Sequence, residues 1–153
     1  MSLLRYILGK KEMDEALTSE EIETVQVSFE KIANFSKKAT IIFYQYLHHL
    51  DPILYNTMRK EIGLDEERLF SLAQNLIHNL SNDREIVPTL HMIAKNSNSQ
   101  LLKDSDYGTI GAALLFSIES LIGDDWNEFV KRSWVSAFTF IAINLKSRSN
   151  QAA

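Results

Sequence analysis

No cysteine occurs in the 153 residues. That excludes disulfides, thiolate metal sites, a cysteine nucleophile and thioether attachment of a cofactor. It also fits a reducing compartment, and a cytoplasmic setting is expected. Breakers are scarce, with 5 Gly and 2 Pro, which favours helices over a β-rich chain. No apolar run approaches the roughly 20 residues that span a bilayer, so a transmembrane protein is not expected. The opening "MSLLRYILGKKEMDEA" is too short and too interrupted for a secretory signal. Basic residues do not exceed acidic ones, 16 against 20 for a net charge of −4. Without a basic stripe there is no electrostatic reason to expect nucleic acid as a partner.

What is present is an ordinary globular composition, 45% hydrophobic and 24% charged, long enough for one domain with a substantial core. Thr18 and Glu21 form a capping box at a helix start, followed by Val25, Phe29 and Ile32 at helical spacing. A second helix, "KKATIIFYQYLHHL", carries Ile41, Ile42, Tyr44, Leu47 and Leu50 as its apolar residues. Asp51-Pro52 ends it and opens a short helix or turn. Gly63 punctuates the chain. Residues 65–80 then give the strongest amphipathic stripe, Leu69, Leu72, Ala73, Leu76, Ile77 and Leu80. A further helix has Pro88 in its first turn, with Ile86, Leu90, Ile93 and Ala94 inward. "NSNSQLLKDSD" is a polar connection. A helix from about Asp106 to Ile122 ends at Gly123, and another runs from about Asp125 to Lys146. The expectation is an all-α domain over residues 17–147, with an N-terminal extension (1–16) and a C-terminal tail (148–153). "LLRYIL" in the extension could dock on a membrane surface, a partner or its own domain, the last being favoured.

Three stretches and their order resemble a globin, closest to a single-domain bacterial haemoglobin or the globin half of a flavohaemoglobin. "LTSEEIETVQVSFEKI" with "FYQYLHHLDPIL" looks like that family's opening helices. "YGTIGAALLFSIESLIGD" is similar to its Y-x-x-[IV]-G-x-x-LL…LGD helix through Tyr107, Ile110, Gly111, Leu114, Leu115, Gly123 and Asp124. "SWVSAFTFIAINL" matches its final helix through Trp134 and Ala137. The resemblance covers about residues 17–146 and implies a globin-like fold of about six to eight helices.

The same resemblance places the haem-ligating histidine ten residues before the tyrosine of the following helix, which here is Ser97. Laying the family's "LP…L…IA…H" over "VPTLHMIAKNS" ends at Ser97 again. Other family positions fall at Met58 (the aromatic wedge against the porphyrin), Asp65 (the distal polar residue) and Phe138 (a proximal tyrosine). Tyr44 matches the distal tyrosine that bonds oxygen, and Tyr107 is retained. His48 and His49 close the second helix, where the dipole stabilises a protonated ring. His78 is expected opposite the inward stripe. His91 stands six residues before Ser97 and on another face. Met58 or Met92 as an axial ligand usually accompanies histidine.

The resemblance thus implies a globin-like protein without haem. No cofactor is expected, with haem as the alternative. The former haem pocket comprises Tyr44, Met58, Leu69, Leu72, Ser97, Tyr107, Ile110 and Phe138, either filled by its own side chains or holding an apolar ligand. Some globin-fold sensor modules in bacterial stress and sporulation signalling lack haem, and some hold a fatty-acid chain. A regulatory, sensor-like or partner-binding role follows, with an unknown protein or an apolar small molecule as partner. The alternative is a haem globin with atypical ligation that binds or senses a diatomic gas such as oxygen. No metal cluster, nucleophile–base pair or phosphate loop is found, so an enzyme is not expected. "DSD" (104–106) and "GDDWNE" (123–128) read as helix caps. Trp126, Phe129 and Trp134 are either core or part of a homodimer interface.

Overall fold

The structure is a computed structural model that describes residues 17–96 and 101–152, the side chains of 83, 94–96 and 146–152 excepted. The fold is all-α and globin-like, with seven α-helices and no strand among the described residues. They are α1 (Ser19–Ala33), α2 (Ser36–Leu50), α3 (Pro52–Asn56), α4 (Glu66–His78), α5 (Asp83–Asn96), α6 (Asp104–Ile122) and α7 (Glu128–Ala152). The extension expected at 1–16 lies outside the described residues, as does Ser97.

Local chemistry sets most of these boundaries. The Thr18 hydroxyl accepts from the Glu21 N–H at 3.1 Å, and the Glu21 carboxylate accepts from the Thr18 N–H at 2.9 Å. Two otherwise orphaned donors are thereby satisfied at the start of α1. Asp51 caps α3 by accepting from the Leu54 N–H at 3.0 Å, and Pro52 occupies the first turn, where no N–H is needed. Gly123 ends α6 at φ +66°, a conformation that only glycine adopts without steric cost.

Several boundaries and orientations differ from the sequence reading. Helix α6 begins at Asp104, and the Asp106 carboxylate accepts from the Lys103 N–H at 2.7 Å. The 123–125 stretch is a short 3₁₀ turn, so α7 starts only at Glu128. There the Asn127 side chain accepts from the Val130 N–H at 2.9 Å. Pro88 is the sixth residue of α5, beyond its first turn. It is exposed, as is Arg84, whose carbonyl water can satisfy in place of the missing N–H. In α2 the inward face is Ala39, Thr40, Phe43, Tyr44 and Leu47, whereas Ile41 and Leu50 are exposed.

Helix α1 packs on α7, α2 on α6, and α5 on α7, with α4 laid across α2. The α1–α7 contact holds a buried polar link. The Trp134 indole N–H donates to the Ser28 hydroxyl at 2.8 Å, and Ser28 donates to the Thr24 carbonyl at 2.7 Å. Trp134 is therefore core, with Trp126 and Val130 packed around the same cluster.

The apolar interior divides into separate clusters. One joins α1, α4, α6 and α7 through Phe29, Ile77, Ile118 and Trp134. A second gathers Phe43, Tyr44, Leu47, Leu54, Met58 and Ala113. Tyr107 with Ala142 makes a third, and Leu76, Ile86 and Leu90 a fourth. All four contribute walls to one cavity.

Candidate functional site: a central apolar cavity

The cavity has a volume of about 240 Å³, and its walls are almost wholly apolar. An engineered cavity of about 150 Å³ lined by Leu, Ile and Phe stays dry and admits benzene. The space here exceeds that and has the same chemical character. The stripe on α4 contributes to it: Leu69, Leu72 and Ala73 are half-buried, pack against the surrounding apolar clusters and line the cavity.

Of the eight residues assigned to the pocket, the structure brings Met58, Leu69, Leu72, Tyr107, Ile110 and Phe138 to its wall. Tyr44 is not on it, and Ser97 lies outside the described residues. The cavity extends beyond that set. Phe29 of α1, Leu76 and Ile77 at the far end of α4, Leu80 in the 3₁₀ turn that follows it, and Trp134, Ala137 and Ile141 of α7 also line it. Their helical periodicity marks them as inward. Periodicity does not distinguish a residue that meets another side chain from one that meets a void.

Met58 reaches the wall from an unusual piece of backbone. After α3 the chain makes a π-helical turn over Thr57–Glu61, closed by the Ile62 N–H on the Thr57 carbonyl at 2.8 Å. One extra residue per turn rotates Met58 inward, where it is buried against Phe43, Tyr44 and Leu54. Gly63, at φ +87°, then redirects the chain toward α4.

Tyr44 braces this turn. It is 2% exposed, and its hydroxyl donates to the Leu64 carbonyl. Burial pushes its phenol well above the ordinary range, against the lowering effect of the nearby Arg59 guanidinium. Arg59 lies 5.1 Å from the centre of the Tyr44 ring and 5.5 Å from that of Tyr55, within cation–π range. Its guanidinium pairs with Glu66 at the start of α4. That hydrogen bond raises Arg59 and holds the Glu66 carboxyl below its usual value. The cluster ties the π turn to α4. Nothing in the sequence spacing flagged Arg59 or Glu66, because they meet across an irregular turn.

Three wall residues carry hydroxyls. Thr40 donates back to the Ser36 carbonyl at 3.1 Å, and Ser117 donates to the Ala39 carbonyl at 2.8 Å. Tyr107 is 4% exposed, and burial, reinforced by Asp104 and Asp106, pushes its phenol up to about 12. It remains a neutral hydroxyl at any physiological pH.

Among the described residues, the side chains on the cavity wall offer few donors to a haem iron. No histidine lines the cavity. His48, His49 and His78 are exposed at helix ends, and His91 is half-buried on α5. Met92 is 63% exposed, which removes it as an axial ligand. Asp65 is not a distal residue; it is the exposed N-cap of α4 and accepts from the Arg68 N–H at 2.9 Å. Met58 alone offers a soft donor, and the hydroxyl of Tyr44 is already committed to backbone. Among the described residues no cluster of His, Asp or Glu could hold a metal ion. No described helix is long and apolar enough to cross a membrane.

No protein-family model matches the chain. It is similar to the flavohemoprotein of Halalkalibacterium halodurans, 23% identical over 129 residues, which is 82% of this chain and 31% of that protein. It is similar to the flavohemoprotein of Oceanobacillus iheyensis to the same 23% over 129 residues, 82% of this chain and 32% of that protein. The chain spans about a third of the length of these curated relatives. The seven-helix fold and this distant similarity agree on a globin-like domain.

Proposed function

We propose that this globin-like domain works without haem and holds a small apolar ligand in its central cavity, as a cytoplasmic regulatory or sensor-like module. The observation that carries this reading is a cavity of about 240 Å³ with apolar walls and no histidine on them. A fully enclosed empty space of that size would cost stability at roughly 24 cal/mol per Å³, about 6 kcal/mol, which is an upper bound for this partly open cavity. That is a large share of the 5–15 kcal/mol by which domains are usually stable. A ligand that fills the space recovers part of this cost, so occupancy and stability are coupled, which is what a sensor requires. No catalytic step is part of the proposal; the described wall residues supply no base, nucleophile or charged group to support one.

A second reading has one observation in its favour: both relatives are flavohemoproteins. On that reading the chain binds haem through atypical ligation and senses a diatomic gas. Native mass spectrometry of the purified protein, followed by hemin titration, separates the two. A bound organic molecule or an empty protein, with no Soret band on titration, is the expected result. A stoichiometric Soret band in the folded protein would overturn the haem-free proposal.

A further inference from the structure

We infer that the cavity selects a neutral amphiphile, an apolar body bearing one hydrogen-bond-accepting oxygen, and that the Tyr107 hydroxyl is the donor that recognises it. This rests on the reading of the cavity as a ligand site and specifies the chemistry of the ligand.

The argument is one of elimination followed by geometry. Of the hydroxyls on the cavity wall, those of Thr40 and Ser117 are committed to helix carbonyls. The Tyr107 hydroxyl is not: no described residue accepts from it. Tyr107 is more than nine-tenths buried, and it packs among Leu102, Phe138 and Leu145, which are themselves wall residues. No fully buried side-chain polar atom among the described residues lacks a partner. The Tyr107 oxygen is therefore not wholly enclosed, and we place its open side on the cavity that the residue lines. A buried phenol that donates to nothing forgoes a hydrogen bond that a ligand oxygen can supply.

The charge of the ligand follows from what surrounds that hydroxyl. No Lys, Arg or His among the described residues lines the cavity. Among the described residues, the charges that act on Tyr107 are those of Asp104 and Asp106, secondary to burial. An ionised carboxylate would enter an apolar space whose described walls offer no cation to meet it, an arrangement that is strongly unfavourable. A ketone, ester or alcohol oxygen accepts from the phenol without that penalty. Tyr107 itself stays protonated, so the donor does not switch off at neutral pH.

The test uses three probes of matched size, heptane, methyl pentyl ketone and heptanoate, titrated at neutral pH into the full chain and its Tyr107→Phe variant. The native chain is expected to bind the ketone more tightly than the alkane, and heptanoate least. Tyr107→Phe should weaken ketone binding by about three- to tenfold, the worth of one neutral hydrogen bond, and leave heptane unchanged. Losing only an unpartnered hydroxyl, the variant should melt as the native chain does. If heptane binds but the ketone has no advantage, or the variant binds the ketone as well as the native chain does, Tyr107 is not the recognition group and the cavity reading survives. Tightest binding by heptanoate overturns the neutral-ligand inference. If neither heptane nor the ketone binds, both the inference and the cavity reading are wrong.

Discussion

Replacing Ala73 by Leu asks whether the central space is real. Ala73 sits on the α4 stripe and lines the cavity. The substitution adds three apolar carbons. Burying each is worth about 0.8 kcal/mol, so the gross gain is about 2.4 kcal/mol. Fixing the leucine rotamer takes back roughly 0.5–1 kcal/mol, and the intrinsic helix preferences of Ala and Leu differ little. The net expectation is a stabilisation of roughly 1.5 kcal/mol. For a domain of this length that is about 3–6 °C in Tm. In a tightly packed core the same change would force strain and cost about 1–3 kcal/mol. The sign therefore decides the matter. Thermal and urea melts of both proteins, monitored by circular dichroism, give the answer, and heptane should stabilise the native chain more than the variant. A lower Tm for Ala73→Leu would refute the claim that this face of α4 borders open volume.

Other expectations concern the scaffold around the cavity. Ser28→Ala leaves the buried Trp134 indole N–H without its acceptor and should cost about 1–3 kcal/mol in urea unfolding, with no change in ligand affinity. Tyr44→Phe keeps the ring between Phe43 and Tyr55 but removes the donor to the Leu64 carbonyl. A loss of about 1 kcal/mol is expected, together with faster amide exchange across the π turn. Glu66 has its carboxyl held below the usual range by Arg59, so its contribution is complete above the ordinary carboxylate value and is lost as pH falls through the lowered one. Glu66→Gln should therefore be less stable than the native chain at neutral pH. The gap should close on acidification, and a gap that widens instead would contradict the assigned pairing.

Features whose chemistry is local could be read from the sequence. The Thr18–Glu21 box, the Asp51-Pro52 break and Gly123 each depend on residues within one helical turn, and each stands where the sequence puts it. The outward turn of Ile41 and Leu50 was not legible. A helix with apolar residues on several faces leaves its inward face to be chosen by its partner, here α6. Tyr44 shows the same limit. Its position on α2 implied a distal role, but its hydroxyl is spent on Leu64, twenty residues away, and that contact exists only because the π turn brings the backbone back. The cavity lies beyond pattern altogether. It is a difference between the volume that seven helices enclose and the volume their side chains fill, and no single stretch of chain encodes it.

That unfilled volume makes hydrostatic pressure a second variable for this protein, alongside temperature and denaturant. Unfolding lets water occupy space that the folded chain excludes, so the unfolded state takes up less room. Typical domains contract by about 20–100 mL/mol on unfolding, a change that scales with the internal void eliminated. A void of about 240 Å³ places this chain toward the pressure-sensitive end. A molecule lodged in the cavity would remove most of that contraction. Compression would then drive the ligand-free form apart while sparing the loaded one.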